Sequence, residues 1–224
     1  MCNVAALPSL FYHLGTKDMD KQEAIKIVRD AAISYQTNLV GKKMMVLYLG
    51  NDQKVESLEI VFMATNFLHL TGLKLISKIS ASEFYQRCLE GKLSENDIAF
   101  AKDGTTALKL RVLPKLMANN LSANMVGDFS ANSIKLYTQK LIGGVTACLG
   151  FVKDGNVYYP NTLLSTDIRN MVFKPMRIVA IFQKEFEHEH YEKKTYQAKK
   201  LDCSSLKFPK DIEYLKELLI AEDK

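Results

Sequence analysis

Apolar residues first recur at helical spacing over residues 20–39, where Ile25, Val28, Ala32, Tyr35 and Leu39 share one face. Asp20, followed three residues on by Glu23, has capping-box spacing, so the pattern predicts a helix that begins there and is stopped by Gly41. The period then shortens. Residues 44–49 and 58–64 are rich in bulky and β-branched side chains and flank Gly50-Asn51-Asp52, which predicts two paired strands. Ser80 or Ser82 is placed to cap a helix running through Phe84, Tyr85, Cys88 and Leu89 to Gly91. A further helix is expected from Asp103, with Leu108, Val112 and Leu116 inward, Lys102, Lys109, Arg111 and Lys115 on a basic solvent face, and Pro114 kinking or splitting it.

From Met125 onward the pattern is one of strands. Residues 134–142 alternate loosely, and 145–153 and 156–159 flank Asp154-Gly155, the strongest hairpin signal in the chain. Residues 177–186 read as another strand, to which 195–199 can pair back across the charged stretch 187–194. Past Pro209, Ile212, Leu215, Leu218 and Leu219 make the inner face of a final amphipathic helix. Helices precede a mostly β second half with no internal repeat. The expected class is therefore α+β: N-terminal helices packed on a curved antiparallel β-sheet, with a C-terminal amphipathic helix.

Composition narrows this only a little. The chain is 47% hydrophobic and 25% charged, enough for a real core, and its net charge of +5 permits a polyanionic partner without requiring one. Cys2, Cys88, Cys148 and Cys203 lie far apart with no Cys-x-x-Cys pair, so neither a zinc site nor a disulfide framework is indicated and a reducing cytoplasm suits them. No apolar run reaches the length of a membrane span, so the expectation is a soluble cytoplasmic protein without membrane contact. Dinucleotide-binding, P-loop, zincin and nucleophile-elbow signatures are all absent.

Four constellations carry candidate chemistry. In Asn66-Phe67-Leu68-His69-Leu70-Thr71-Gly72, an extended segment would aim His69 and Thr71 from one face; read alone, it fits as simply a histidine satisfied by backbone at a strand end. In 158–170, Pro160 would end the hairpin's second strand and leave Asn161 and Thr162 on a loop, with Asp167 and Arg169 close behind. These could hold a phosphate, or Asp167 could cap a short helix and occupy Arg169. Lys135 and Lys140 flank Tyr137 on an expected strand that could track a backbone and stack a base, though solvent-facing strand lysines are the commoner case. His188 and His190, two apart beside several glutamates, could share a metal but lack a third ligand at useful spacing.

The segment 66–72, the following Phe84-Tyr85, and Tyr159-Pro160-Asn161-Thr162-Leu163-Leu164 with Asp167-Ile168-Arg169 resemble a phage- and prophage-associated group of nucleases. That group belongs to the barnase, EndoU, colicin and RelE-like superfamily. The resemblance covers roughly residues 60–185. It implies a nuclease-like α+β domain over 60–200, with helices on a four-stranded antiparallel sheet. Residues 1–59 would then form a helix-and-hairpin extension, and 201–224 a C-terminal helix.

The resemblance also implies metal-independent RNA cleavage, with no cofactor, by a toxin or phage–host conflict effector acting on tRNA or mRNA, and an antitoxin or immunity protein as partner. RNA supplies its own nucleophile, the 2′-hydroxyl, so the enzyme needs a base, a cation for the phosphate and an acid for the leaving oxygen. His69, Arg169, Lys140 and Thr71 are the implied catalytic residues; Asn161, Thr162, Tyr159, Lys135 and Tyr137 are the implied substrate contacts. Two readings compete. One is a phage-derived protein that keeps the fold and binds nucleic acid or a protein without catalysis; the other is a metal-dependent hydrolase using His188 and His190.

Overall fold

A computed structural model describes residues 19–130 and 136–220 of the chain. Helix α1 spans Lys21–Asn38, with the Asp20 carboxylate accepting the Glu23 N–H at 2.8 Å, as the capping-box spacing predicts. Strands β1 (Lys42–Leu49) and β2 (Val55–Val61) pair antiparallel. The next segment departs from expectation. Asn66–Gly72 is not extended: a 3-10 turn over Ala64–Asn66 leads into a five-residue helix, α2 (Phe67–Thr71), closed by Gly72 at φ +70. Phe67 and Leu70 sit three apart and are both buried, so a helical period, too short to stand out in sequence, drives this turn into the core.

The chain continues through β3 (Lys74–Leu75), α3 (Ala81–Glu90), β4 (Ile98–Ala99) and α4 (Thr105–Leu116). Ser80 caps α3, accepting from the Glu83 N–H at 3.1 Å, and Gly91 closes it in the left-handed region. Helix α4 runs through Pro114, and its buried stripe is Thr106, Leu110, Leu113 and Leu116, while Leu108 is 49% exposed. The inward face expected from Leu108 and Val112 is therefore rotated. Then come β5 (Met125–Asp128), β6 (Lys140–Gly143), β7 (Cys148–Asp154), β8 (Val157–Leu164), β9 (Met176–Glu185), β10 (Lys193–Gln197) and α5 (Tyr214–Ile220). The strand expected over 134–142 is only β6; Tyr137 precedes it, and Lys135 lies outside the described residues.

The sheet has eight strands in the order β1-β2-β8-β7-β6-β5-β9-β10, and β1 also pairs with β9, so seven of them close into a ring with β10 outside it. All neighbours are antiparallel except β2 and β8, which pair in parallel at Glu59–Val157 and Ile60–Tyr158. The α+β class and the curved sheet are as expected; the strand count exceeds the four that the resemblance implies.

Tyr35 of α1 centres an aromatic cluster with Phe62, Phe67 and Tyr85, its ring 5.1–5.7 Å from theirs, and its hydroxyl donates to the Met63 carbonyl. Each such ring contributes on the order of 2–3 kcal/mol by burial. On the opposite face of β1 and β9, Leu47, Val179 and Phe182 are covered by Leu215 and Leu219 of α5.

Pro160 does not end β8. The β7–β8 register steps from Gly150↔Thr162 to Phe151↔Pro160, leaving Asn161 as the extra residue of a β-bulge. A bulge is where a ladder tolerates proline, and it re-aims the neighbouring side chains. Beyond Tyr158 the edge of β8 that β2 has left is met instead by α2 and α4.

Candidate functional site

The bulge in β8 gathers polar groups from four elements. Asn161 donates its side-chain N–H to the Tyr137 carbonyl, while its Oδ1 is buried without a hydrogen-bond partner. Thr162 lies over Gly150, where an added Cβ would stand 2.5 Å from Thr162 Cγ2 and 2.7 Å from Thr138 Oγ1. Only glycine lets the two hydroxyl-bearing side chains close over the ladder. Thr138 donates to the Phe151 carbonyl at 3.1 Å, tying the segment before β6 to the same place.

Across the β8 edge, Lys109 of α4 reaches Thr162, with Nζ 3.4 Å from Oγ1. Lys109 was expected on a solvated face. It instead follows Thr106 by three and precedes Leu113 by four, which puts it beside the buried stripe of its helix. Its stem passes Gly72 so closely that a Cβ there would sit 2.8 Å from Lys109 Cδ. The Thr106 hydroxyl holds this junction, donating to the Gly72 carbonyl at 2.7 Å and accepting from the Ala101 N–H at 2.9 Å. Burial lowers the pKa of Lys109; Lys74 lowers it further and Asp103 opposes the shift. Among the described residues no carboxylate comes within ion-pair distance of Lys109. The result is a cation drawn partly out of water and left facing a hydroxyl.

Of the residues expected in a site, this arrangement brings together Asn161, Thr162 and the backbone of Tyr137, whose ring is 88% exposed. His69 is exposed on α2, three residues before Gly72. Thr71 is turned inward: buried, it donates to the Leu68 carbonyl at 2.8 Å and accepts from the Leu73 N–H at 3.1 Å, so it closes α2. Tyr159 is half-buried on β8, opposite Val152.

Lys140 and Arg169 are engaged elsewhere. Lys140 pairs with Asp128 at 2.8 Å and lies 5.9 Å from the centre of the Tyr48 ring. Strand alternation points Tyr48, Glu56, Asp128, Lys140 and Tyr158 all into one end of the ring. Burial, and then a hydrogen bond with Glu56, raise the pKa of the Tyr48 hydroxyl there. Arg169 forks onto Asp167, with Nε 3.0 Å from both carboxylate oxygens, and Asp167 caps the following 3-10 turn, the structural alternative that its spacing allowed.

His188 and His190 are exposed on the turn between β9 and β10, and the His190 ring lies edge-on to Tyr214. Among the described residues no three His, Cys, Asp or Glu side chains are grouped to hold a metal ion. The Cys88 and Cys148 thiols are pushed up to about 12 by burial, which leaves them poor nucleophiles.

Sequence reading missed Lys109, Thr138 and Gly150. For Lys109 the signal was present: a lysine bordering the 106/110/113 stripe, which outcompetes the 108/112/116 one. No helix among the described residues is long and apolar enough to cross a membrane. In comparisons with known proteins, no curated protein and no solved structure matches the chain. One family model does, over residues 27–200: that of the phage-Barnase-EndoU-ColicinE5/D-RelE like nuclease 4.

Proposed function

Because the chain belongs to this family of phage-associated, barnase–EndoU–colicin–RelE-like nucleases, we propose that it is an endoribonuclease cutting RNA at the β8 edge without a metal ion. In this reading a phosphodiester sits against Lys109 and Thr162. Its non-bridging oxygens take the Lys109 ammonium, which has no ion-pair partner among the described residues. His69 removes the proton from the ribose 2′-oxygen, which attacks phosphorus as the bond to the 5′-oxygen breaks, giving a 2′,3′-cyclic phosphate and a 5′-hydroxyl end. Lys109, whose proton burial loosens, is the donor at hand for that leaving oxygen.

The Asn161 side chain holds the Tyr137 backbone beside the site, and the exposed Tyr137 ring offers a stacking surface. Expected substrates are tRNA or mRNA in the cytoplasm, and the biological role is that of a toxin or conflict effector held in check by an immunity partner. The observation that carries the reading is the partly desolvated Lys109 beside Thr162, with no carboxylate among the described residues within ion-pair distance.

The test is RNA cleavage by the purified chain in excess EDTA. All-ribose RNA is expected to be cut to cyclic-phosphate ends, the same sequence in 2′-deoxy form to survive, and His69→Ala to slow the reaction by about 10²–10⁴-fold. Loss of cleavage on chelation, or cleavage of the deoxy strand, overturns it. A second reading rests on His69 itself: no hydrogen bond among the described residues orients its ring, as suits a protein that binds RNA without cutting it. RNA left intact but retarded on a gel in a salt-dependent way is the outcome for that case.

A further inference from the structure

Strands β5 and β10 meet β9 at successive stretches, β5 at Met176–Arg177 and β10 at Ala180–Gln183. Where they part, a groove of about 680 Å³ opens, lined by Asn120, Ser122, Asn124, Arg177, Tyr196 and Lys199 among others, with no acid in its lining. A second hollow of about 510 Å³ continues it past Lys199 and Lys200. The one carboxylate there, Asp202, is occupied in accepting from the Ser204 N–H and hydroxyl.

The walls are fixed. Arg177 donates to the Lys199 carbonyl, and the Asn120 side chain accepts from the Ser122 N–H at 2.9 Å. Leu121 and Ser122 are both held at positive φ, a conformation that persists in non-glycine residues only where the surroundings enforce it.

One wall of the groove is tied to α4, the helix that also carries Lys109. The Ser122 hydroxyl donates to the Lys115 carbonyl at 2.9 Å, and Lys115 follows Lys109 by six residues on α4, roughly 9 Å along the axis. Lys115 itself is exposed and reaches Thr146 at 3.2 Å. Arg177, Lys199 and Lys200 thus gather along one groove, with amide side chains and a tyrosine beside them.

Resting on the nuclease reading, we propose that this groove is a strand-binding subsite. It would hold single-stranded RNA several nucleotides away from the scissile phosphate, through its phosphates and one base edge, so that the enzyme selects long unpaired strands over short ones. Positively charged grooves with an aromatic wall are the usual means of tracking a single strand without reading its sequence.

The experiment measures equilibrium binding of 2′-O-methyl oligonucleotides, which cannot be cut, by fluorescence anisotropy at several salt concentrations. Wild-type affinity is expected to climb from a 4-mer to a 12-mer. In Lys199→Glu/Lys200→Glu the 12-mer is expected to lose about tenfold or more, with a salt slope shallower by about 0.7 for each phosphate contact removed. Arg177→Glu repeats the test from the other wall, and thermal melting confirms that each variant is folded. Equal affinity of wild type for both lengths, or a 12-mer bound as well by the folded double variant, overturns the proposal. Cleavage of all-ribose RNA by wild type is scored separately. Cleavage without the length effect removes the groove and keeps the nuclease; the length effect without cleavage does the reverse.

Discussion

Lys109 and Lys140 are both drawn from water, and the molecule treats them oppositely. Lys140, at the mouth of the strand ring, has the Asp128 carboxylate at 2.8 Å, the Tyr48 ring nearby and a side chain only 15% exposed. Lys109, at the β8 edge, has a threonine hydroxyl at 3.4 Å and no ion-pair partner among the described residues. A cation whose desolvation is offset by a carboxylate is complete without a ligand; one facing only a hydroxyl is not. On the proposed reading, this contrast favours the β8 edge over the ring mouth as the place where an anion from outside would settle.

The sharpest way to break this contrast is at Lys109. Lys109→Met is expected to cut RNA cleavage by two orders of magnitude or more while the melting temperature holds or rises, since it removes a partly buried charge whose desolvation outweighs the attraction of Asp103. A large drop in melting temperature would make Lys109 a structural lysine like Lys140. Gly72→Ala is expected next in size. It strains a left-handed position and pushes on the Lys109 stem, costing about 1 kcal/mol in denaturant melts and about tenfold in activity. Activity preserved at equal destabilisation would show that the stem's position does not matter.

At the other region, Asp128→Asn is expected to cost about 1 kcal/mol or less, because the aspartate is itself largely exposed, and to leave cleavage intact. Activity lost without stability lost would return Lys140 to the catalytic set. The smallest effect is on pH dependence. The pKa of Lys109 is lowered on folding, so between its folded and unfolded values the unfolded chain holds more protons, and stability contributed at this residue rises as pH rises through that window. RNA affinity moves the other way as the ammonium is lost. Lys109→Arg, which stays charged, is expected to abolish both trends, measured by melts and anisotropy in the alkaline range.

Much of the scaffold could be read from local chemistry because each end carries its own signal: Asp20 three before Glu23, Ser80 and Gly91 about α3, Asp154-Gly155 at the hairpin. The site was harder. Segment 66–72 holds a single turn of helix, too short for its period to emerge beside the strand before it. Pro160 is ordinarily a strand breaker, and only the extra residue Asn161 makes room for it. The threonine–lysine meeting depends on β2 leaving β8 after two paired residues, a tertiary fact with no trace in either segment. Lys135, placed with the substrate contacts in the sequence reading, lies outside the described residues.

Closure of the ring has a consequence for synthesis. Met45 must wait for Phe182 before the last seam forms, so a ribosome will have emitted His69, Lys109 and Thr162 well before the strand that locks the circle has emerged. The edge that carries Lys109 and Thr162 would thereby stay without its closed frame until residues 176–185 have emerged.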